Sequence, residues 1–202
     1  MVRAVILAAG ASSRMGQPKA GLAIAHRADT FLARIIRSLS VAGLPEIVVV
    51  TGAAPETVHR AAGPTDRRVR FIQNPRWEDG QLSSLLTGLG GQYPVDLEAI
   101  LMTLVDVPFA SAATVAHVVT AWRASRAPIV RPAQGDVHGH PVMFDRAIFD
   151  ELREANPATG AKAVVRAHAG EILNIPIDDP GAFLDVDTPE EYAAAVTALR
   201  GV

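Results

Sequence analysis

Hydrophobic residues recur along the chain in short continuous runs, most of them rich in valine and isoleucine. The runs are Ala4–Leu7, Ile47–Thr51, Val69–Ile72, Ile100–Val105, Ile129–Arg131 and Pro141–Phe144. A continuous apolar run bounded by polar or turn residues is typical of a strand covered on both faces, whereas a half-exposed strand alternates. The pattern therefore predicts six strands of a buried sheet.

Between several of these strands, hydrophobic residues follow a helical period. One helix begins after Asp29 or Thr30, either of which can be its N-cap, and Gly43 stops it. A second follows Ser111, and a third opens with the capping box Thr188-Pro189-Glu190-Glu191. The apolar stripes of the first two helices are Phe31, Leu32, Ile35, Ile36 and Leu39, and Ala112, Val115, Val118, Val119 and Trp122. Alternating strands and helices predict an α/β fold, a mostly parallel sheet with helices on both faces.

Length and composition are those of one globular domain. The chain has 202 residues, of which 49% are hydrophobic, enough for a sizeable core. Neither a fixed-period repeat nor a linker is evident, so a single domain over residues 1–202 is expected. The formal net charge of -2 argues against a nucleic acid or a membrane surface as partner, because both usually require a basic excess.

Cysteine is absent, which excludes disulfides, thiolate zinc sites and cysteine nucleophiles. The apolar run that ends at Gly10 is too short for a signal-peptide core, and no later stretch approaches the ~20 apolar residues of a membrane span. We therefore expect a cytoplasmic protein.

The connection between the first strand and the first helix is unusually long. More than twenty residues separate Leu7 from Phe31, whereas such loops usually have ~2–6 residues, and long ones are often functional. The loop follows the carboxyl end of a strand, where open α/β sheets bind ligands. Its glycines allow backbone N–H groups to approach phosphate oxygens, and Arg14 and Lys19 can neutralise charge.

Two common phosphate-binding motifs do not fit this loop. Five residues separate Gly10 from Gly16 and the lysine lies three positions further on, which excludes a P-loop. The dinucleotide fingerprint is also absent. Spacing alone therefore leaves open whether the loop binds phosphate or is a solvated surface loop.

Five motifs, in the same order and spanning nearly the whole chain, resemble those of the MobA/MocA-like nucleotidyltransferases. The first motif is similar to that family's signature loop, in the form closest to MocA-type molybdenum cofactor cytidylyltransferases. It reads Leu7-Ala8-Ala9-Gly10-x-Ser12-x-Arg14-Met15-Gly16-x-x-Lys19. The other four are Asn74-Pro75-x-Trp77-x-x-Gly80-x-x-Ser83-Ser84-Leu85-x-x-Gly88-Leu89, Asp106-Val107-Pro108, Gly139-His140-Pro141-Val142-x-Phe144 and Leu184-Asp185-Val186-Asp187-Thr188-Pro189-Glu190. The resemblance implies a three-layer, Rossmann-like sheet of the GT-A type.

The resemblance also implies roles for particular residues. Arg14 and Lys19 would be the catalytic cations, and His140 would approach the acceptor. The nucleotide-binding residues would be Leu7, Ala8, Ala9, Gly10, Asn74, Gly80 and Ser84. Trp77 is expected either to orient the base or acceptor, or simply to pack. The residues alone also allow a helix N-terminus capped by Ser83 or Ser84.

Two aspartates are the expected ligands of Mg²⁺, an ion that takes one or two carboxylates together with phosphate oxygens. Asp106 lies just beyond an apolar strand, and Asp185 and Asp187 flank Val186, so in extended chain their carboxylates point the same way. By resemblance Asp106 and Asp187 bind the metal and Asp185 is structural. Residue patterns alone allow Asp106 as a turn residue and Asp187 as a helix-start acid.

Only two of the six histidines are spaced so that they could act together. His138 and His140 are spaced to lie on one strand face, but no third ligand is suggested nearby, so a histidine metal site is not expected. The remaining histidines form no constellation. Where relatives commonly have a Gly-Lys-Pro turn after the loop, this chain has His26-Arg27-Ala28-Asp29, so the acceptor stays open.

The implied reaction is attack by an acceptor phosphate on the α-phosphorus of a nucleoside triphosphate, with release of pyrophosphate. The Ala8-Ala9-Gly10 and Gly80–Ser84 segments favour CTP, with molybdopterin cofactor as acceptor and a molybdoenzyme or chaperone receiving the product. One alternative is transfer to a sugar phosphate or alcohol phosphate. Others are an NADPH-dependent oxidoreductase of the nicotine-blue type, which the missing dinucleotide fingerprint disfavours, and a non-catalytic nucleotide-binding protein.

Overall fold

Eight strands form one sheet in the computed structural model, which describes residues 1–24 and 29–200 of the chain. They are β1 (Val2–Ala8), β2 (Glu46–Thr51), β3 (Val69–Gln73), β4 (Ala99–Leu104), β5 (Ile129–Gln134), β6 (Val137–His138), β7 (Val142–Asp145) and β8 (Ile172–Pro176). The six predicted strands are confirmed. β6 and β8 were not predicted, because β6 has only two exposed residues and β8 contains Asn174 and Pro176.

The strand order, which the sequence did not reveal, is β3-β2-β1-β4-β7-β5-β6, with β8 paired to β5. β1 to β4 run parallel to one another, and β7 runs antiparallel to both β4 and β5. The sheet is therefore mostly parallel, as predicted. Leu7 pairs with Leu104, so the loop after β1 and the residues after β4 leave the sheet side by side at the same edge.

Seven helices accompany the sheet within the described residues. They are α1 (Phe31–Val41), α2 (Pro55–Ala62), α3 (Gln81–Leu89), α4 (Ala112–Ser125), α5 (Phe149–Glu154), α6 (Ala161–Ala167) and α7 (Pro189–Arg200). Thr30, rather than Asp29, caps α1 by accepting a hydrogen bond from the N–H of Ala33, and Ser111 caps α4. Residues 1–24 and 29–200 include no helix with the length and apolar character to cross a membrane.

The predicted N-terminus of α3 is correct, but its capping is not. Gly80 is the N-cap, and no side-chain cap bond forms there. The Ser83 hydroxyl instead donates to the carbonyl of Arg76 or Gly80. The capping box at the start of α7 is confirmed, because Thr188 and Glu191 each accept a hydrogen bond from the other's N–H.

Alternate residues of the central strands face two separate apolar layers. Ala4 and Ile6 belong to a buried cluster with residues of α1, α2 and α4. Val5 and Leu7 belong to a second cluster with residues of α3, α5 and α6. Helices therefore cover both faces, which confirms the three-layer prediction.

A buried arginine fixes the C-terminal end of α3. Arg3, with 5% of its surface exposed, donates from Nε to Glu46 at 2.7 Å and from Nη1 to the carbonyl of Leu89 at 2.8 Å. Helix C-terminal carbonyls lack intrahelical partners, and a cation there is favoured. Because α3 also contains Ser84, this contact helps to place one of the predicted site residues.

We predict that Arg3→Met lowers the free energy of unfolding by roughly 2–3 kcal/mol, because it leaves buried acceptors without a charged donor. Arg70→Met is the matched control. Arg70 pairs with the same Glu46 but is half-exposed, so its loss is expected to cost less than about 1 kcal/mol. Urea denaturation measures both variants, and equal losses would contradict the role given to Arg3.

Candidate active site

A cleft of about 380 Å³ opens at the carboxyl edge of β1 and β4. Its lining includes predicted site residues from four distant parts of the sequence: Leu7, Ala9, Gly10, Arg14, Lys19, Gly80, Ser84, Asp106 and Asp187. Of the predicted residues, Ala8, Asn74 and His140 do not line it. The volume lies within the range typical of small-molecule sites.

Opposite charges are paired at one end of this cleft. The Lys19 ammonium lies 3.1 Å from Oδ2 of Asp106 and also donates to Oδ1 of Asp187. Arg14 lies on the other side of Asp187, with Nη2 2.9 Å from Oδ2. Lys19 is buried and Arg14 is exposed. We call these four residues the charge cluster.

Loop geometry and apolar packing bring the charge cluster together. The Lys19 N–H donates to Oγ of Ser12 at 3.2 Å, which folds the loop back on itself. Met15 is buried in the same apolar cluster as Phe31 and Val186, so the loop is held against the C-terminal motif. The Val186 N–H donates to the carbonyl of Asp106 at 2.8 Å, and this contact sets Asp187 beside Asp106.

The two aspartates of the C-terminal motif have different electrostatic environments. The hydrogen bond from Lys19 lowers the pKa of Asp187, and the charges of Lys19 and Arg14 add to this effect. Desolvation raises the pKa of Asp185, and the nearby charges of Asp106 and Asp187 raise it further. Asp187 lines the cleft whereas Asp185 does not, so Asp187 is the better placed of the two for a ligand in the cleft.

The carboxylates at this end suit a hard divalent cation. Asp106 and Asp187 already converge on a single positive charge, that of Lys19. The second oxygen of Asp106, Oδ1, is buried without a hydrogen-bond partner among the described residues. Those residues contain no group of three or more histidine, cysteine or acidic side chains that could hold a metal. A cation there would need phosphate and water as further ligands, which is how Mg²⁺ is usually bound.

The other end of the cleft is organised by neutral hydrogen bonds. The buried Asn74 amide donates to the hydroxyls of Ser83 at 2.8 Å and Ser84 at 3.1 Å. Its carbonyl oxygen accepts from the N–H of Arg76 at 2.9 Å. Asn74 lies outside the cleft lining and fixes the position of Ser84, which does line the cleft.

Several cleft residues were not predicted. They are Ser12, Ser13, Glu78, Gln81, Leu104 and Val105. Trp77, for which the sequence left packing and ligand contact open, also lines the cleft. Gly52 also supports the cleft but was not predicted from the sequence. A Cβ at Gly52 would clash with the Ala9 carbonyl oxygen and lie 2.6 Å from Cβ of Trp77, which only the tertiary structure shows. Its position directly after β2, at the same sheet edge, was the available signal.

His140 does not line the cleft, so its expected approach to the acceptor stays a prediction. Burial lowers the pKa of its ring, the Asp106 charge acts in the opposite direction, and Nδ1 has no partner among the described residues. His138 is exposed. His168 contacts two glutamates at the surface, and His26 lies outside the described residues together with the rest of 25–28.

The doubly covered sheet carries, at its carboxyl edge, a cleft with a basic loop and facing carboxylates. The sequence model of the MobA-like NTP transferase domain matches residues 4–172. The chain therefore belongs to the MobA-like NTP transferase family.

Characterised relatives agree with this assignment. The chain is 24% identical over 192 residues to the molybdenum cofactor cytidylyltransferase of Escherichia coli (strain K12), covering 95% of this chain and 93% of that protein. It is 26% identical over 211 residues to the molybdenum cofactor guanylyltransferase of Rhizobium meliloti (strain 1021), covering 95% and 89%.

A crystal structure of Rv0371c from Mycobacterium tuberculosis H37Rv matches the fold with a TM-score of 0.80 and 25% identity, covering 97% of each chain. A crystal structure of Rv0371c in complex with manganese matches with a TM-score of 0.75 and 26% identity, covering 98% of each chain.

We predict that Gly52→Ala weakens binding of a nucleoside triphosphate about tenfold while the protein stays folded. The added Cβ must displace Trp77 or the loop residue Ala9, and both line the cleft. Gly91→Ala is the control, because a Cβ at Gly91 meets nothing within 4 Å. Calorimetric titration measures the two affinities, and an unchanged affinity in Gly52→Ala would refute the supporting role.

Proposed function

We propose that this protein transfers CMP from CTP to a phosphate of molybdopterin cofactor, releases pyrophosphate, and depends on Mg²⁺. The observation that carries the proposal is the charge cluster at one end of the cleft. A basic loop and two convergent carboxylates are what a triphosphate with a divalent cation requires. The fixed Ser84 hydroxyl at the other end supplies a polar contact for a base.

Phosphoryl-type transfer asks a protein mainly for positioning and for neutralisation of charge. In the proposed reaction an acceptor phosphate oxygen forms a bond to the α-phosphorus, and the bond from that phosphorus to the bridging oxygen of pyrophosphate breaks. Lys19, Arg14 and the N–H groups after β1 stabilise the negative charge that develops on pyrophosphate. No covalent intermediate with a side chain is needed.

Asp106 and Asp187 are the residues that would hold the cation. When bound there, Mg²⁺ would neutralise phosphate charge and orient the α-phosphate for in-line attack. Asp106 contributes the oxygen that now contacts Lys19 and a buried second oxygen. Phosphates supply further ligands in this proposal.

The choice of CTP rests on two short segments, Ala8-Ala9-Gly10 and Gly80–Ser84. Overall similarity does not make this choice, because the cytidylyltransferase and guanylyltransferase relatives are about equally identical to this chain. The cleft also exposes Glu78 and Gln81. A carboxylate can accept from the amino group of cytosine or of guanine, and the amide can donate or accept, so these two side chains can contact either base.

We place the reaction in the cytoplasm, with a molybdoenzyme or a chaperone receiving the product and with no nucleic acid or membrane as partner. Transfer to a sugar phosphate or an alcohol phosphate by the same site is the main alternative acceptor chemistry. The nicotine-blue type of NADPH oxidation is disfavoured by the absent dinucleotide fingerprint and by the family to which the chain belongs.

Calorimetric titration with CTP, GTP, ATP and UTP, each with and without Mg²⁺, tests the nucleotide. We expect CTP to bind most tightly and only weakly without the metal. Pyrophosphate release with molybdopterin cofactor, a sugar phosphate or an alcohol phosphate then tests the acceptor. Tighter binding of GTP would overturn the base assignment, and NADPH oxidation without pyrophosphate release would overturn the reaction class.

Lys19→Ala is expected to lower turnover by about two to four orders of magnitude, since a buried charge-stabilising group is lost. The fold should survive, as far-UV circular dichroism can verify. Lys162→Ala is a matched control, because lysine occurs only at positions 19 and 162 and Lys162 is exposed on α6. A Lys19→Ala rate near that of the unmodified protein would remove Lys19 from the mechanism.

A further inference from the structure

The Lys19 ammonium lies between the two carboxylates that would hold a divalent cation. Its Nζ contacts one oxygen of Asp106 and one of Asp187 at the same time. The other carboxylate oxygen of Asp187 forms an ion pair with Arg14. The formal charges of the charge cluster sum to zero, so the carboxylates are already neutralised by the protein's own cations.

A divalent cation that binds alone therefore meets an opposing charge. If Lys19 stays, a positive ammonium and the incoming cation lie within a few ångströms and repel each other. If Lys19 leaves, a side chain that is only 7% exposed loses both of its carboxylate partners, and an unpaired buried charge is strongly unfavourable. Either route weakens the binding of a cation by itself.

A triphosphate changes this balance because it offers new anionic partners to the same two basic side chains. Lys19 and Arg14 line the cleft together with Gly10, Ser12 and Ser13 of the loop. Phosphate oxygens there can accept from both cations, which releases Asp106 and Asp187. The released carboxylates then face the phosphates and can share a divalent cation with them.

We propose that Lys19 takes the place of the divalent cation between Asp106 and Asp187 until a triphosphate draws it away, so that metal and nucleotide bind in a coupled manner. This inference rests on the proposed function, because it assumes that the cleft receives a metal–nucleotide pair. It assigns Asp187 a second task, which is to hold Lys19 and Arg14 in place before substrate arrives. Coupling between two ligands is commonly worth 5–150-fold in affinity.

Binding of Mn²⁺ alone, with no nucleotide present, tests the proposal. Free Mn²⁺ is followed by electron paramagnetic resonance for the unmodified protein, for Lys19→Met and for Lys162→Met. We expect Lys19→Met to bind Mn²⁺ at least about tenfold more tightly than the unmodified protein, within that coupling range. Lys162→Met should match the unmodified protein, since its lysine is remote from the carboxylates.

Two further variants locate the effect. Lys19→Gln removes the charge but keeps a polar group, and it replaces Lys19→Met if the methionine variant is unstable. Adding Asp106→Asn to the Lys19 variant should abolish the gain in Mn²⁺ affinity. The proposal is overturned if folded Lys19 variants bind Mn²⁺ no more tightly than the unmodified protein, or if the gain persists without the Asp106 carboxylate.

The outcome can be separated from that of the proposed function. The Mn²⁺ comparison contains no nucleotide, so it reports on Lys19 and the carboxylates whether or not pyrophosphate is ever released. If the unmodified protein releases pyrophosphate but the Lys19 variants bind Mn²⁺ no more tightly, the coupling is refuted and nucleotidyl transfer still stands. A Mn²⁺ gain in a protein that transfers no nucleotide would refute only the reaction.

Discussion

The rest of the site depends on one buried ammonium. Lys19 is 87 residues from Asp106 and 168 from Asp187, yet it bonds to both. A buried charge must be paired, because the loss of solvation is otherwise uncompensated. The loop after β1, the end of β4 and the C-terminal motif are therefore constrained to meet at one point. The parallel pairing of β1 with β4 makes this possible, since both strands end at the same edge.

The C-terminal motif reaches that point through close backbone contacts. A Cβ at Gly181 would lie 2.8 Å from Cβ of Phe109, so only glycine fits where this segment crosses the start of the α4 region. Asp179 accepts from the N–H of Ser111 and from the hydroxyl of Thr114, and these bonds lower its pKa although burial opposes them. The segment is thus fixed several residues before Asp187, and the position of that carboxylate follows from packing as well as from charge.

Sequence reasoning was successful where a local pattern carries the information. Long apolar runs and capped helices gave the sheet, its two helical layers and the N-caps of α1 and α4. Lys19 and Asp106 follow strand ends at the ligand-binding edge, but their roles came from the resemblance, because local patterns alone also allowed a solvated loop and a turn residue. The approach of His140 to the acceptor stays a prediction, because the residue does not line the cleft and a local motif does not define where an acceptor lies. Gly52 could not be found because its importance comes from chains that approach only in the folded state.

The two ends of the cleft therefore contribute different kinds of information to function. In the proposed reaction the charge cluster would contact only groups that every nucleoside triphosphate shares, so it could not distinguish one base from another. Discrimination has to come from the end where Asn74 fixes Ser84 and where Glu78 and Gln81 face the cleft. A change in these side chains alone would alter the overall identity very little. This is why a cytidylyltransferase and a guanylyltransferase can be about equally similar to one chain.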